Sequence, residues 1–158
     1  MLTEGLVVVL ATMVAVLCWR ARRDGPALAR AALAPAAAAV AYLVSEAVKA
    51  GWQVERPCRA LGEVATVVSC PAVGDWSFPS NHATVVGALA VGILWSTRRL
   101  GAAAVALALL AAASRVFVGA HYPHDVLAGL LLGAAVALPL PLLARAVTPL
   151  AQRVGSRS

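Results

Sequence analysis

The stretch that decides the fold runs from residue 100 to residue 144, "LGAAAVALALLAAASRVFVGAHYPHDVLAGLLLGAAVALPLPLLA". It consists of two apolar runs separated by the polar corner "GAHYPHD" at 119–125. Each run has about 20 residues, the length that an α-helix needs to cross the hydrocarbon core of a bilayer. Lipid offers the backbone no hydrogen-bond partners, so spanning segments of this kind form helices. The stretch therefore predicts a helical hairpin in a membrane, with its polar turn at one surface.

Three further apolar segments lie upstream of this hairpin. The predicted helices cover 6–19, 27–48, 83–96, 100–120 and 126–144. The third reaches spanning length only if residues 80–82 form its first turn. With 61% apolar and 13% charged residues in a chain of 158, the composition lies far outside that of soluble domains. We therefore predict an all-α fold, a polytopic membrane bundle of about five, or six, transmembrane helices in a single domain over 1–158.

The basic residues predict how the bundle sits in the membrane. If the helices alternate in direction, nine of the 13 Lys and Arg residues fall on one side: Arg20, Arg22, Arg23, Arg30, Arg98, Arg99, Arg145, Arg153 and Arg157. The positive-inside rule places that side, with the C-terminus, in the cytoplasm. The loop 50–79 and the corner 119–125 then lie on the extracytoplasmic side. The net charge of +6 suits anionic lipid of the inner leaflet, and nucleic acid is not expected as a partner.

Ionisable and hydroxyl residues collect on the extracytoplasmic side at three places: the end of the second predicted helix, the start of the third, and the junction of the fourth and fifth. They are Lys49, Arg56, Ser80, His82, Arg115, His121 and Asp125. Taken singly, each has a structural explanation, such as a snorkelling cation, a helix cap or an interfacial histidine. Taken together, three cations and the N–H groups at a helix start suit the oxygens of a phosphate. The set therefore predicts a phosphate site.

The histidines and the aspartate predict the chemistry of that site. Pro123 suits the first position of a helix, which leaves His121 just outside the helix and Asp125 in its first turn. The carboxylate of Asp125 can then hold one imidazole nitrogen of His121, leaving the other free to attack phosphorus. His82, from the opposite wall, is the candidate acid for the leaving oxygen and the base for the water that follows. We therefore predict phosphoryl transfer through a phosphohistidine.

Three motifs carry a family resemblance: Lys-x6-Arg-Pro at 49–57, Pro-Ser-x-His at 79–82 and Ser-Arg-x5-His-x3-Asp at 114–125. Over about residues 42–140 the chain resembles the type 2 phosphatidic acid phosphatase superfamily, metal-independent membrane lipid phosphatases related in their core to vanadium haloperoxidases. The resemblance implies a helical membrane bundle that needs no cofactor or metal. It also implies these roles: Lys49, Arg56, Ser80 and Arg115 bind phosphate, His82 is the acid, His121 is the nucleophile and Asp125 orients it.

This sequence departs from the family pattern in two places. Asn81 stands where the middle motif usually has glycine, although its backbone N–H remains available to a phosphate. Five predicted helices are one fewer than the six usual in the family. Both departures bear on the substrate more than on the reaction.

A membrane site that opens outward favours an amphiphile with a phosphate or diphosphate headgroup. The resemblance makes undecaprenyl diphosphate, or another polyprenyl diphosphate, hydrolysed to the monophosphate in a bacterial cytoplasmic membrane, the leading candidate. Phosphatidic acid, phosphatidylglycerol phosphate and a prenyl-phosphosugar phosphate are the alternatives. A catalytically inactive scaffold or transporter is the alternative from another class, and the presence of every expected site residue argues against it.

Two further features of the extracytoplasmic side leave alternatives open. Glu46 lies one helical turn before Lys49, where it either forms a stabilising ion pair or tunes the site and contacts substrate. Cys58 and Cys70 share the loop 50–79, where a disulfide between them is chemically permitted.

Small residues mark the last predicted helix. Gly129 and Gly133 form a GxxxG pair, which either packs inside the monomer or provides the face of a homodimer. No CxxC or clustered His and Cys spacing is present, so a metal site is not expected.

Overall fold

Five long helices and one short helix form the structure, a computed structural model that describes residues 2–62, 69–143 and 145. They are α1 (Leu2–Ala21), α2 (Gly25–Trp52), α3 (Pro57–Ala60), α4 (Asn81–Ser96), α5 (Arg98–Phe117) and α6 (Pro123–Ala137). No strand occurs in these ranges, and each of the five long helices overlaps one of the five predicted segments, with ends that differ by up to seven residues. The prediction of an all-α membrane bundle is therefore confirmed. The short helix α3 was not predicted.

Four stretches are long and apolar enough to cross a membrane. They are Leu2–Ala21, Gly25–Ala60, Arg98–Phe117 and Pro123–Leu143. The remaining long helix, α4, has 16 residues, which at 1.5 Å per residue gives a length of about 24 Å. It begins at Asn81 with Ser80 as its N-cap residue, so the polar residues at 80–82 lie at its start as expected.

Helix α4 lies at the centre of the bundle and contacts α1, α2, α5 and α6. Most of its residues from Ala83 to Ile93 are buried, and many of them are Ala or Gly. Small side chains let helix backbones approach closely, which is how helices associate in lipid. Because other helices surround α4, little of this shorter helix has to face the hydrocarbon.

The closest approach is between α4 and α6, at the two glycines of the GxxxG pair. A Cβ atom at Gly133 would lie 2.1 Å from the backbone oxygen of Thr84, and one at Gly129 would lie 2.6 Å from that of Ser80. Only a residue without a side chain fits at either position. Of the two alternatives for this pair, packing inside the monomer is the one that the structure shows.

The loop between α2 and α4 contains a disulfide. Cys58, in α3, is bonded to Cys70, and their Cα atoms are 5.9 Å apart. Residues 63–68 of the same loop lie outside the described residues. The predicted cytoplasmic C-terminus, with Arg153 and Arg157, also lies outside them.

We predict that Gly133→Ala destabilises the bundle. Its new methyl group would meet the backbone of Thr84, which cannot move aside without displacing α4. Overpacking of this kind costs about 1–3 kcal/mol. Gly5→Ala is the control, because it is also helical and a Cβ there meets nothing within 4 Å. Thermal unfolding in detergent measures both variants, and an unchanged midpoint for Gly133→Ala would contradict this account of the α4–α6 contact.

Candidate active site

The end of α2, the start of α4 and the α5–α6 corner meet at one end of the bundle. Backbone and side-chain contacts join them: Ser80 N donates to the Asp125 carbonyl oxygen at 3.0 Å, and Arg56 Nη1 lies 3.1 Å from His121 Nε2. All the predicted site residues lie at this end. Lys49, Arg56, Ser80, His121 and Asp125 are buried, and His82 and Arg115 are half-buried.

His121 follows the turn at Gly119, whose φ of 75° suits glycine, and its ring is held on both nitrogens. Nδ1 lies 2.9 Å from the carbonyl oxygen of Ser77, and Nε2 lies 3.1 Å from Arg56 Nη1. A carbonyl oxygen only accepts hydrogen bonds and a guanidinium only donates them. The neutral ring therefore carries its proton on Nδ1, and Nε2 keeps its lone pair.

Asp125 lies in the first turn of α6, fully buried beside the imidazole. Its Oδ2 atom accepts from Tyr122 N at 2.8 Å and from the hydroxyl of Ser77. The same oxygen is 3.6 Å from His121 Nδ1, farther than the Ser77 carbonyl oxygen. The sequence interpretation placed Asp125 correctly beside His121 but missed Ser77, which lies between them. Its backbone N–H donates to Val54 O at 2.7 Å, and this fixes its position.

Burial and charge set the protonation of His121. Burial lowers the pKa of His121, and the nearby carboxylate of Asp125 opposes this. The positive charges of Arg56 and Arg115 lower the pKa further, so it lies below its ordinary value. A histidine with a lowered pKa is neutral at neutral pH and becomes charged only as the pH falls through that lowered value.

The two cations from the α2 side share a carboxylate that the sequence interpretation also missed, Asp75. Its Oδ1 atom accepts from Arg56 Nη2 at 2.8 Å and lies 3.7 Å from Lys49 Nζ. Burial raises the pKa of Asp75, but the hydrogen bond and charge of Arg56, with the charge of Lys49, hold the pKa below its ordinary value. Asp75 is therefore ionised at neutral pH. Lys49 also lies 3.7 Å from Glu46 Oε1, which supports the ion-pair alternative for Glu46.

The third cation, Arg115, faces the start of α1. Its Nη1 atom is 3.9 Å from Glu4 Oε1, and the neighbouring Ser114 hydroxyl is 2.6 Å from that of Thr3. Nothing in the sequence indicated that α1 would reach this site, because its first turn carries no motif of its own. The contacts place the N-terminal turn of α1 at the edge of the candidate site.

Ser80 has a buried hydroxyl group without a hydrogen-bond partner among the described residues. Although Ser80 is the N-cap residue of α4, its side chain makes no capping hydrogen bond. Buried hydroxyl groups are almost always paired, so the hydroxyl of Ser80 is a candidate donor to a ligand. Together with the N–H groups at the start of α4, this hydroxyl suits an anion.

The carboxamide of Asn81 contacts α2. Its Oδ1 atom accepts from the hydroxyl of Ser45 at 2.6 Å, and its Nδ2 donates to Glu46 Oε1 at 2.5 Å. The side chain is therefore not directed at the cations. Asn81 can therefore contact a phosphate only through its backbone N–H, as the sequence analysis predicted.

Two cavities adjoin the site. A polar cavity of about 500 Å³ is lined by Glu46, Lys49, Gln53, Asp75 and Trp76, among others. A smaller one of about 190 Å³ is lined by Val7, Tyr42, Asn81, His82 and Val85. His82 thus borders a mainly apolar cavity. Nowhere in the described ranges do three or more His, Cys, Asp or Glu side chains come together as a metal ion would require.

These features define the chain as a polytopic helical membrane protein with a cluster of buried and half-buried cations around a buried histidine. The model of the PAP2 superfamily matches residues 30–149, and the chain therefore belongs to that superfamily. The resemblance seen in the three motifs is confirmed.

Curated relatives match a short segment of the chain. Undecaprenyl-diphosphatase BcrC of Bacillus subtilis is 43% identical over 60 residues, which are 38% of this chain and 31% of the relative. Lipid A 1-phosphatase of Rhizobium johnstonii is 48% identical over 58 residues, 37% of this chain and 24% of the relative. Putative undecaprenyl-diphosphatase YbjG of Escherichia coli is 45% identical over 60 residues, 37% of this chain and 30% of the relative. The match thus spans about a quarter to a third of these relatives. No solved structure matches the chain.

We predict that the pKa of His121 lies below the ordinary histidine value and falls further in Asp125→Asn. The substitution removes the negative charge that favours the imidazolium, while burial and the two arginines continue to oppose it. Histidine-selective NMR titration in detergent measures this, with the His121 signal assigned by its loss in His121→Ala. A His121 pKa at or above the ordinary value would contradict the conclusion that burial and the two arginines keep the ring neutral.

Proposed function

We propose that this protein is a membrane lipid phosphatase that acts without a metal and hydrolyses a lipid phosphate or diphosphate through a phosphohistidine on His121. The observation that carries the proposal is the state of His121, whose Nε2 keeps a lone pair within 3.1 Å of Arg56 in an anion site. A neutral imidazole next to fixed cations is suited to attack phosphorus.

In the first step, the phosphoryl group lies against Lys49, Arg56, Arg115, the hydroxyl of Ser80 and the start of α4. Nε2 of His121 loses its hydrogen bond from Arg56 Nη1 and forms a bond to phosphorus as the bond from phosphorus to the leaving oxygen breaks. His82 donates a proton to that oxygen, which leaves with the lipid. The cations and N–H donors stabilise the negative charge that spreads over the equatorial oxygens.

In the second step, His82 accepts a proton from water, and the water oxygen attacks phosphorus. The bond between phosphorus and His121 breaks, which releases inorganic phosphate and restores the neutral imidazole. During both steps Nδ1 of His121 donates to the carbonyl oxygen of Ser77, and the carboxylate of Asp125 stabilises the positive charge that develops on the ring.

Undecaprenyl diphosphate is the proposed substrate, with the monophosphate as product. Two observations support it: relatives that carry the name undecaprenyl-diphosphatase, and the mainly apolar cavity next to His82. The leaving oxygen carries the lipid and takes its proton from His82, so an isoprenoid chain beside His82 fits this chemistry. The relatives named lipid A 1-phosphatase favour a second candidate, a lipid-linked phosphosugar. Glycerolipid phosphates are the remaining alternatives, and an inactive scaffold or transporter is the alternative without chemistry.

The site is proposed to face the extracytoplasmic side of a bacterial cytoplasmic membrane. Seven of the nine basic residues assigned to the cytoplasm belong to the described part of the chain, at or near the ends of helices away from the site: Arg20, Arg22, Arg23, Arg30, Arg98, Arg99 and Arg145. The positive-inside rule then directs the site outward.

The orientation predicts which cysteines an impermeant maleimide labels in intact cells. In a Cys18→Ser background, Val73→Cys in the exposed loop before Asp75 is expected to react, because it would face the outside. Arg23→Cys, in the turn between α1 and α2, is expected to react only after the cells are permeabilised. The reverse pattern would overturn the proposed orientation.

Hydrolysis by the purified full-length protein in EDTA tests the proposed function. We expect release of inorganic phosphate, fastest from undecaprenyl diphosphate when it is compared with a lipid-linked phosphosugar, phosphatidic acid and phosphatidylglycerol phosphate. His121→Ala is expected to lower the rate by at least roughly a thousandfold, since it removes the nucleophile. His124→Ala is the matched control: this exposed histidine of the same corner stacks on Tyr122 and lies 3.2 Å from Asp125 Oδ1, the oxygen farther from His121, and we expect the variant to keep most of its activity.

Each result of this experiment has a separate meaning. Faster hydrolysis of the phosphosugar lipid or a glycerolipid would replace the proposed substrate but keep the reaction. Release that stops in EDTA would contradict action without a metal. If no lipid phosphate is hydrolysed in a manner that depends on His121, the proposed reaction is wrong and the scaffold or transporter alternative takes its place.

A further inference from the structure

Every cation of the proposed phosphate site has a carboxylate neighbour within the described part of the chain. Glu46 and Asp75 flank Lys49, Asp75 also pairs with Arg56, and Arg115 lies beside Glu4. Buried charges are costly unless they are paired, so these carboxylates stabilise the cations within the fold. A phosphate that binds the same cations must compete with some of them.

Asp75 makes the most direct of these contacts. Its Oδ1 atom is 2.8 Å from Arg56 Nη2 and 3.7 Å from Lys49 Nζ, so a single oxygen lies next to both cations. The Asp75 side chain is 47% exposed, whereas the side chains of Arg56 and Lys49 are 5% and 8% exposed. A buried pair of cations is therefore bridged by a carboxylate that can reach solvent.

The contacts of Arg56 show which of its donors is exchangeable. Nε donates to the Asp75 carbonyl oxygen at 2.8 Å, and Nη1 donates to the Ala120 carbonyl oxygen at 3.0 Å and to His121 Nε2 at 3.1 Å. Both carbonyl oxygens belong to the backbone and cannot leave without moving the chain. The contact of Nη2 with the Asp75 carboxylate can be released by rotation of one half-exposed side chain.

Glu46, the other carboxylate next to Lys49, has a side chain that is 46% exposed, close to the value for Asp75, but its partner besides Lys49 is a neutral amide. Its Oε1 atom accepts from Asn81 Nδ2 at 2.5 Å, and Asn81 is itself held by Ser45. It lies as far from Lys49 Nζ as Asp75 does, 3.7 Å in each case. Lys49 therefore has two carboxylate neighbours, of which Asp75 also pairs with Arg56.

We propose that Asp75 is an internal counter-ion of the phosphate site, whose carboxylate a phosphate must displace from Arg56 and Lys49, and that it thereby limits inhibition by inorganic phosphate. The inference rests on the proposed function, because it concerns the same site. The competition weakens every phosphate ligand by the same factor. A lipid phosphate has additional contacts through its chain and still binds, whereas inorganic phosphate, which has only the phosphoryl contacts, is released. Asp75 thus leaves the ratio of the two affinities unchanged but lowers the occupancy of the site by inorganic phosphate.

Binding of inorganic phosphate to the full-length protein in detergent and EDTA, measured by isothermal titration calorimetry, tests the inference. Asp75→Asn keeps an oxygen for Arg56 but removes the charge, and we expect it to bind phosphate about tenfold more tightly, the equivalent of one charge-assisted hydrogen bond. Inhibition of hydrolysis by inorganic phosphate is expected to become stronger by the same factor. The KM for the lipid is expected to fall in parallel.

Two matched variants separate displacement from a general change of charge. Glu46→Gln removes the other carboxylate next to Lys49, at the same distance, and is expected to change phosphate affinity less than about twofold, because that carboxylate is not displaced. Glu55→Gln removes a charge from the same loop, where Glu55 pairs with Arg59 at 3.6 Å, and is expected to leave phosphate affinity and activity unchanged.

The outcomes distinguish the inference from the proposed function. Equal tightening in Asp75→Asn and Glu46→Gln would mean a general electrostatic effect and would overturn the inference, as would unchanged or weaker binding in Asp75→Asn. Tighter phosphate binding without hydrolysis of any lipid would uphold the role of Asp75 and reject the proposed reaction. Hydrolysis of a lipid phosphate together with unchanged phosphate affinity in Asp75→Asn would support the proposed reaction and reject the role of Asp75.

Discussion

The close approach of α4 to α6 is the contact on which the site depends. Because Gly129 and Gly133 have no side chains, the α6 backbone can pack directly on the backbone of α4. This packing brings Ser80, at the start of α4, to within 3.0 Å of the carbonyl oxygen of Asp125. The Ser80 hydroxyl and the carboxylate beside His121 thus come from two helices that meet through glycine. The small residues within α6 thus allow the polar groups at the ends of α4 and α6 to come together.

Placing cations in this environment requires counter-ions, and the structure provides them from parts of the chain without motifs. Lys49 and Arg56 are almost wholly buried, where an unpaired charge is costly. The loop that contains the disulfide supplies Asp75, and the first turn of α1 supplies Glu4. The cations are thereby held in position at low net charge, and the ring nitrogen Nε2 of His121 keeps its lone pair.

The sequence predicted those features that arise from local patterns. Runs of apolar residues predicted all five long helices, Pro123 predicted the start of α6, and the need for spanning length predicted that α4 begins near residue 80. Side chains that act across the bundle could not be predicted in this way. Thr3 contacts Ser114 across 111 positions of sequence, and Ser77 and Asp75 follow no period or spacing that indicates their partners. The roles of the predicted site residues stay predictions, although the structure brings those residues together.

Asn81 lies in a motif that the sequence reveals, but its side-chain contacts with α2 could not be predicted from the sequence. It stands where the family usually has glycine, and a glycine has no side chain to hold Glu46. Here the carboxamide ties the start of α4 to α2 and lines the mainly apolar cavity, while Glu46, on its other side, lines the polar one. The side chain between the cavities is therefore that of a residue that departs from the usual glycine. Because Asn81 binds Glu46 beside Lys49, the displacement proposed for a phosphate concerns Asp75, and we expect the departure from the family pattern to affect headgroup binding more than the attacking histidine.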